Sequence, residues 1–213
     1  KNIAVIANAD FAKRLENKLE YWNIPYNNTF GNKLVHSKLV QFLLSIIDTI
    51  VDNFNPITLL SILKNNYSLF GFEKKELQEN INLFQENILF GKINLHGFDS
   101  YYNVIDKIEN NEIKVKLKSF IDKIKSFFDI NFDNIELTTA IKNHLFLAEK
   151  ICTNSNINGR NSLWLKEDNI KIFKLLQNFI EDSNEFFIKD ANEYSSIFKY
   201  IISELSYSKE YLN

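Results

Sequence analysis

Glu112-Ile113-Lys114 is the stretch of this chain that comes nearest to catalytic spacing. An acid two residues before a lysine, with Asp99 or Asp106 upstream, matches sites where paired carboxylates hold Mg²⁺ and a lysine stands beside the attacking water. Such sites place the acid and the lysine on a strand. Here Ile113, Leu117, Phe120, Ile121, Ile124, Phe127 and Phe128 recur with helical period, so the triplet is expected on a helix with a solvated lysine face. A three-residue match also recurs by chance, and no nuclease centre is assigned to it.

Other chemistries fare no better. The three histidines, His36, His96 and His144, stand at no metal-ligand spacing from one another and are expected to be ordinary surface or helix-packing residues. A phosphate-binding loop needs a glycine five residues before its Gly-Lys pair and a hydroxyl after it. Gly91-Lys92 has Glu86 and Ile93 in those places. The single cysteine, Cys152, leaves no internal disulfide, cysteine zinc site or self-contained iron–sulfur cluster. No catalytic residue, metal ligand or ATP-binding residue is therefore assigned. For nucleic-acid contact, Lys114, Lys118 and Lys125 share a stripe that Asp106, Glu109, Glu112 and Asp122 dilute, so a solvated face is expected there. Arg160 and Trp164 in "GRNSLW" offer more, a cation beside an aromatic that can stack on a base. The competing expectation is that Trp164 anchors its loop to the core.

The bulk composition sets the frame for these residues. A length of 213 residues allows one large core or two small ones, taking roughly 150 residues per domain. The net charge of −2 lacks the basic excess of a dedicated nucleic-acid module, so any DNA contact is expected to be a local patch within a larger assembly. Lone-cysteine usage suits a reducing, cytoplasmic compartment, and no apolar run reaches the ~18 residues of a membrane span. The absence of Met, with a start at Lys1 and an end at Asn213, suggests a segment of a longer protein.

The elements that would carry these residues are mostly helices. "NIAVIA" at 2–7 is a short apolar run expected as a buried strand. A helix from about Asp10 to Trp22 should follow, with Asn8 as its N-cap and Phe11, Leu15, Leu19 and Trp22 on one face. "NIPY" ends it and "TFGNKL" turns, making a small β-α-β unit. Helices are then expected over 36–52, from Pro56 to about Lys64 behind the Asn55 cap, and near 73–90, 99–109 and 111–128. Thr138 or Thr139 can cap a helix to Ile151. "TNSNINGRNS" reads as a flexible connector, and helices near 166–182 and 190–206 finish the chain.

The opening, "IAVIANADFAKRLENKLEYWNIPYNNTFGNKL", resembles the start of the second RecA-like domain of UvrD-type superfamily 1 helicases. Ile3, Ala4, Val5 and Ile6 match its strand, Leu15, Glu16 and Leu19 its helix, and Ile24, Pro25, Tyr26 and Gly31 its following turn. That family has an arginine where Asn8 stands, and a neutral amide cannot offer a cation to a γ-phosphate. The second half, through His144, Ala148, Glu149, Leu163, Trp164 and Tyr194, is similar to the AddB family of bacterial helicase–nuclease subunits. The joint resemblance implies a mainly α fold: a helical bundle at 36–213, inserted after a helicase-like β-α-β opening at 1–35. It implies a non-catalytic role in double-strand-break repair, with an AddA-like helicase subunit and DNA as partners. The family's iron–sulfur cluster and Mg²⁺-dependent nuclease would lie outside this segment. Lys13, Arg14 and Arg160 are the implied DNA-contact candidates. The rival readings are an active UvrD-like helicase fragment, which Asn8 opposes, and a free-standing helical interaction module.

Overall fold

The strongest apolar stripe in the chain does what its period dictates. Leu39, Val40, Phe42, Leu43, Ile46 and Ile47 are all fully buried on helix α2 (Lys38–Val51), the central element of a helical body. The computed structural model describes residues 3–24, 26, 32–90, 94–165, 167–182 and 186–207. Within them α1 (Ala9–Tyr21) precedes α2, and α3 (Pro56–Leu63), α4 (Lys74–Phe84), α5 (Gly97–Ile105) and α6 (Asn111–Phe127) follow it. Next come α7 (Leu137–Ile151), α8 (Gly159–Trp164), α9 (Glu167–Asp182) and α10 (Ala191–Glu204). α2 packs against α3, α7 and α10, while α6 packs against α4, α5 and α7. One continuous apolar core runs through both groups. None of the helices among the described residues is long and apolar enough to cross a membrane.

Several helix starts follow from local chemistry. The first turn of a helix leaves N–H groups without helical partners, and short polar side chains satisfy them. Asn55 Oδ1 accepts from Ile57 N at 3.0 Å with Pro56 at the first helical position, as expected. Asn110 accepts from Glu112 N and Ile113 N, and Asp190 from Asn192 N and Glu193 N. Asn8 caps α1, accepting from Phe11 N at 2.9 Å. α4 runs on into a π-helical turn over Gln85–Leu89.

The opening strand departs from expectation. Residues 3–8 form no ladder, and Ile3 and Ile6 are 86% and 102% exposed. The strands of the described residues are two short antiparallel ribbons. In one, β1 (Asn32–Lys33) pairs with β4 (Ser206–Tyr207); in the other, β2 (Ile135–Glu136) pairs with β3 (Phe187–Ile188). Neither includes residues 3–8, and a segment without ladder partners is not a strand. The helicase-like β-α-β unit is thus not formed among the described residues; Pro25 and Gly31, two of its matching positions, lie outside them. Leu34, at the end of that opening, belongs to the body: it is fully buried and its N–H donates to Leu205 O at 3.1 Å.

Two further expectations change. α7 begins at Leu137 with Glu136 at its N-cap, ahead of both threonines, because the β2–β3 ribbon delivers the chain in extended form up to Glu136. Thr138 lies buried inside the helix. The polar stretch from Thr153 is no flexible connector either. Asn154 Oδ1 accepts from Asn156 N and Ile157 N, closing the turn on itself. Glu73 Oε1 then accepts from Asn154, Ser155 and Asn156 side chains at 2.8–3.2 Å, tying the turn to the start of α4. Short polar residues that make a loop look flexible are also those that best hydrogen-bond their own backbone.

Candidate functional site

Six residues that carry the second-half resemblance converge as structural joints. His144 on α7 is fully buried, with Nε2 2.9 Å from Leu43 O on α2 and Nδ1 2.8 Å from the Tyr194 hydroxyl on α10. A carbonyl can only accept, so Nε2 carries the proton and Nδ1 accepts from Tyr194. One ring therefore pins three helices. Burial pushes the imidazole down to about 4, against a smaller opposing effect of the Leu43 hydrogen bond, and pushes the Tyr194 hydroxyl well up. Ala148 and Leu163 are fully buried. Trp164 Nε1–H donates to Glu149 Oε1 at 2.6 Å, and the indole is 7% exposed. It anchors its segment to the core and has no free face for a base. Phe173 on α9 packs against it at 4.8 Å between ring centres.

Arg160 fares differently. It is exposed at the start of α8 and lines a shallow groove of about 480 Å³ between α6, α7 and the 153–158 turn, together with Phe127, Phe146, Glu149 and Lys150. Gly159 lets α8 begin this close to α7: a Cβ there would collide with the Glu149 backbone carbonyl. Along the outer face of α7, Lys142, Phe146 and Lys150 follow one another at i, i+4 and i+8, and all three are exposed. Lys150 Nζ lies 5.3 Å from the Phe127 ring centre, and Lys123 Nζ 3.5 Å from that of Phe72. Phe146 is the residue that sequence reasoning missed. Its stripe was visible, yet an aromatic at helical spacing ordinarily reads as core.

The remaining candidates are dispersed. Arg14 is exposed on α1, and the side chain of Lys13 lies outside the described residues. α8, which carries Arg160, packs against α7 and α9. Glu112 pairs with Lys116 at 3.0 Å, while Lys114 donates to Asp106 O at 2.7 Å and Lys118 pairs with Asp106 at 2.7 Å. Lys118 most strongly, and Lys114, lower the Asp106 carboxyl. These are exposed helix-face ion pairs of the expected kind. Gly91, Lys92 and Ile93 lie outside the described residues. Cys152 is buried, and burial with Glu149 nearby raises its thiol, which leaves a poor nucleophile. Asn8 spends its side-chain oxygen on the α1 cap.

Comparison with family models, curated proteins and solved structures matches the chain to none of them. Two surfaces stand out among the described residues: the exposed apolar arm at 3–24, and the groove between α7 and α8.

Proposed function

We propose that the chain is a non-catalytic scaffold segment of an AddB-type, double-strand-break repair assembly, and that its N-terminal arm docks on an AddA-like helicase subunit. The observation that carries this reading is the arm itself. Ile3, Val5 and Ile6 are more than half exposed, and Phe11 and Trp22 on and just beyond α1 are 55% and 59% exposed. An apolar run of β-branched residues next to an amphipathic helix is costly to leave in water, at roughly 25 cal/mol per Å². Such a surface marks a place where another protein surface sits. An exposed apolar segment that joins no ladder suits strand addition to an open sheet edge. The family resemblance supplies the partner's class, and Asn8 in place of the family arginine supports a non-catalytic role.

Amide hydrogen exchange with and without a co-expressed AddA-like subunit tests this. Residues 3–22 should exchange fast alone and become protected in the complex, and Ile6→Asp should abolish capture. Capture that survives Ile6→Asp with no protection of the arm would overturn the docking role. If no AddA-like subunit binds at all, the free-standing helical module remains, a reading favoured by the closed core of the 32–207 body.

A further inference from the structure

We propose that the groove between α7 and α8 is a single-stranded nucleic-acid contact site, in which Phe146 stacks on a base while Lys142, Lys150 and Arg160 hold the phosphates on either side. This deepens the scaffold reading by naming where a strand would run, yet the surface makes its own case. Phe146 is 61% exposed on a helix whose opposite face is fully packed, so its ring is left over from the core rather than part of it. Lys142 and Lys150 bracket it one turn away on each side, about 12 Å apart along the helix axis. Arg160 stands across the groove on α8, fixed there by the close approach at Gly159.

Local charge favours an anion. Glu149 is the acid that lines the groove, and one of its oxygens already accepts from Trp164. Two cations, Lys150 and Arg160, line the groove with Glu149, and Lys142 adds a third, one helical turn beyond Phe146 on α7. The net charge of −2 for the whole chain conceals this, because its acids are spread elsewhere. An occupant must therefore carry repeated negative charge and present a planar face between the charges. A single strand does both, since each phosphate is followed by a base with an open π-face. A duplex hides those faces in its stack. An acidic peptide satisfies the cations but has no ring tied to each charge. The side-chain amide N–H of Asn158 at the groove rim, whose oxygen caps α8, adds a polar partner for base edges without imposing a sequence.

The full chain is titrated with a fluorescein-labelled oligothymidylate of about 15 nucleotides, near the upper end of a single-domain site, at low and rising salt. Anisotropy should show binding that weakens with salt. Phe146→Ala should weaken it about 5-fold or more, and Phe146→Trp should restore it. Lys150→Gln and Arg160→Gln should each flatten the log–log salt slope by about 0.7. All these side chains are exposed, so circular dichroism should be unchanged. Absence of binding at low ionic strength would overturn the site. So would affinity indifferent to Phe146→Ala, or equal displacement by polyglutamate of matched charge. Ile6→Asp should leave this titration unchanged and the groove variants should leave subunit capture unchanged, so the two readings fail separately.

Discussion

The arm at 3–24 and the body at 32–207 are built from similar residues and end in opposite states. Both contain β-branched and aromatic side chains at regular spacing. In the body, Phe42, Phe84, Phe120 and Phe198 are at most 2% exposed, with Phe84 against Phe120 and Phe198 against His144 across helices. In the arm, Ile3, Ile6 and Trp22 face water. The difference is the number of partners that the rest of the chain brings to each stripe. α2 is met by three other helices, whereas residues 3–8 meet no ladder. Periodicity says that a face wants burial; it does not supply the surface that buries it.

That contrast can be broken by substitution, beginning with the body. Phe42→Ala removes a fully buried ring and should cost about 3–5 kcal/mol by urea denaturation. An effect near zero would mean that the body is as loosely held as the arm. Gly159→Ala should follow, at about 1–3 kcal/mol, because the added methyl must push α8 away from the Glu149 carbonyl. It should also weaken oligothymidylate binding, since Arg160 moves with α8. Tyr194→Phe leaves His144 Nδ1 buried without a donor and should cost about 1–3 kcal/mol.

Acid probes the same joint. The folded pKa of His144 lies below its unfolded value, so the unfolded chain binds more protons between about 4 and 6.5. Stability is full above pH 6.5 and should fall as pH drops through that window. Between pH 6.5 and 5, before most carboxylates titrate, the slope should flatten in His144→Gln; an unchanged slope would remove His144 as its source. The smallest effect belongs to the arm. Ile6→Ala, at a fully exposed site, should change stability by less than about 0.5 kcal/mol. A larger loss would show that the arm is packed after all.

Much of the helical pattern was legible because local rules decide it. Asn8 and Asn55 cap because a short amide reaches the first free N–H groups whatever the rest of the chain does. The inward faces of α2 and α6 follow from their own 3.6-residue period. The start of α7 escaped because it is set by pairing between Glu136 and Phe187, about 50 residues away. The order in the 153–158 turn escaped for a similar reason, since Glu73 is about 80 residues from the amides that hold it. Of the contact candidates, Arg160 is exposed on α8, and Trp164 took the anchoring alternative.

The amino-acid sequence by itself determined where side-chain-capped helices such as α1 and α3 start, which helix faces seek burial, and that neither a phosphate loop nor a cysteine-based metal site is spelled in the chain. Those features depend on neighbours within a few residues. Only the tertiary structure decided which apolar faces found a partner. It joined His144, Leu43 and Tyr194 into one buried joint, turned Trp164 inward, and left Phe146 outward between two lysines. A helix has more apolar positions than its neighbours can cover, and the ones left over are chosen by packing across long sequence separations.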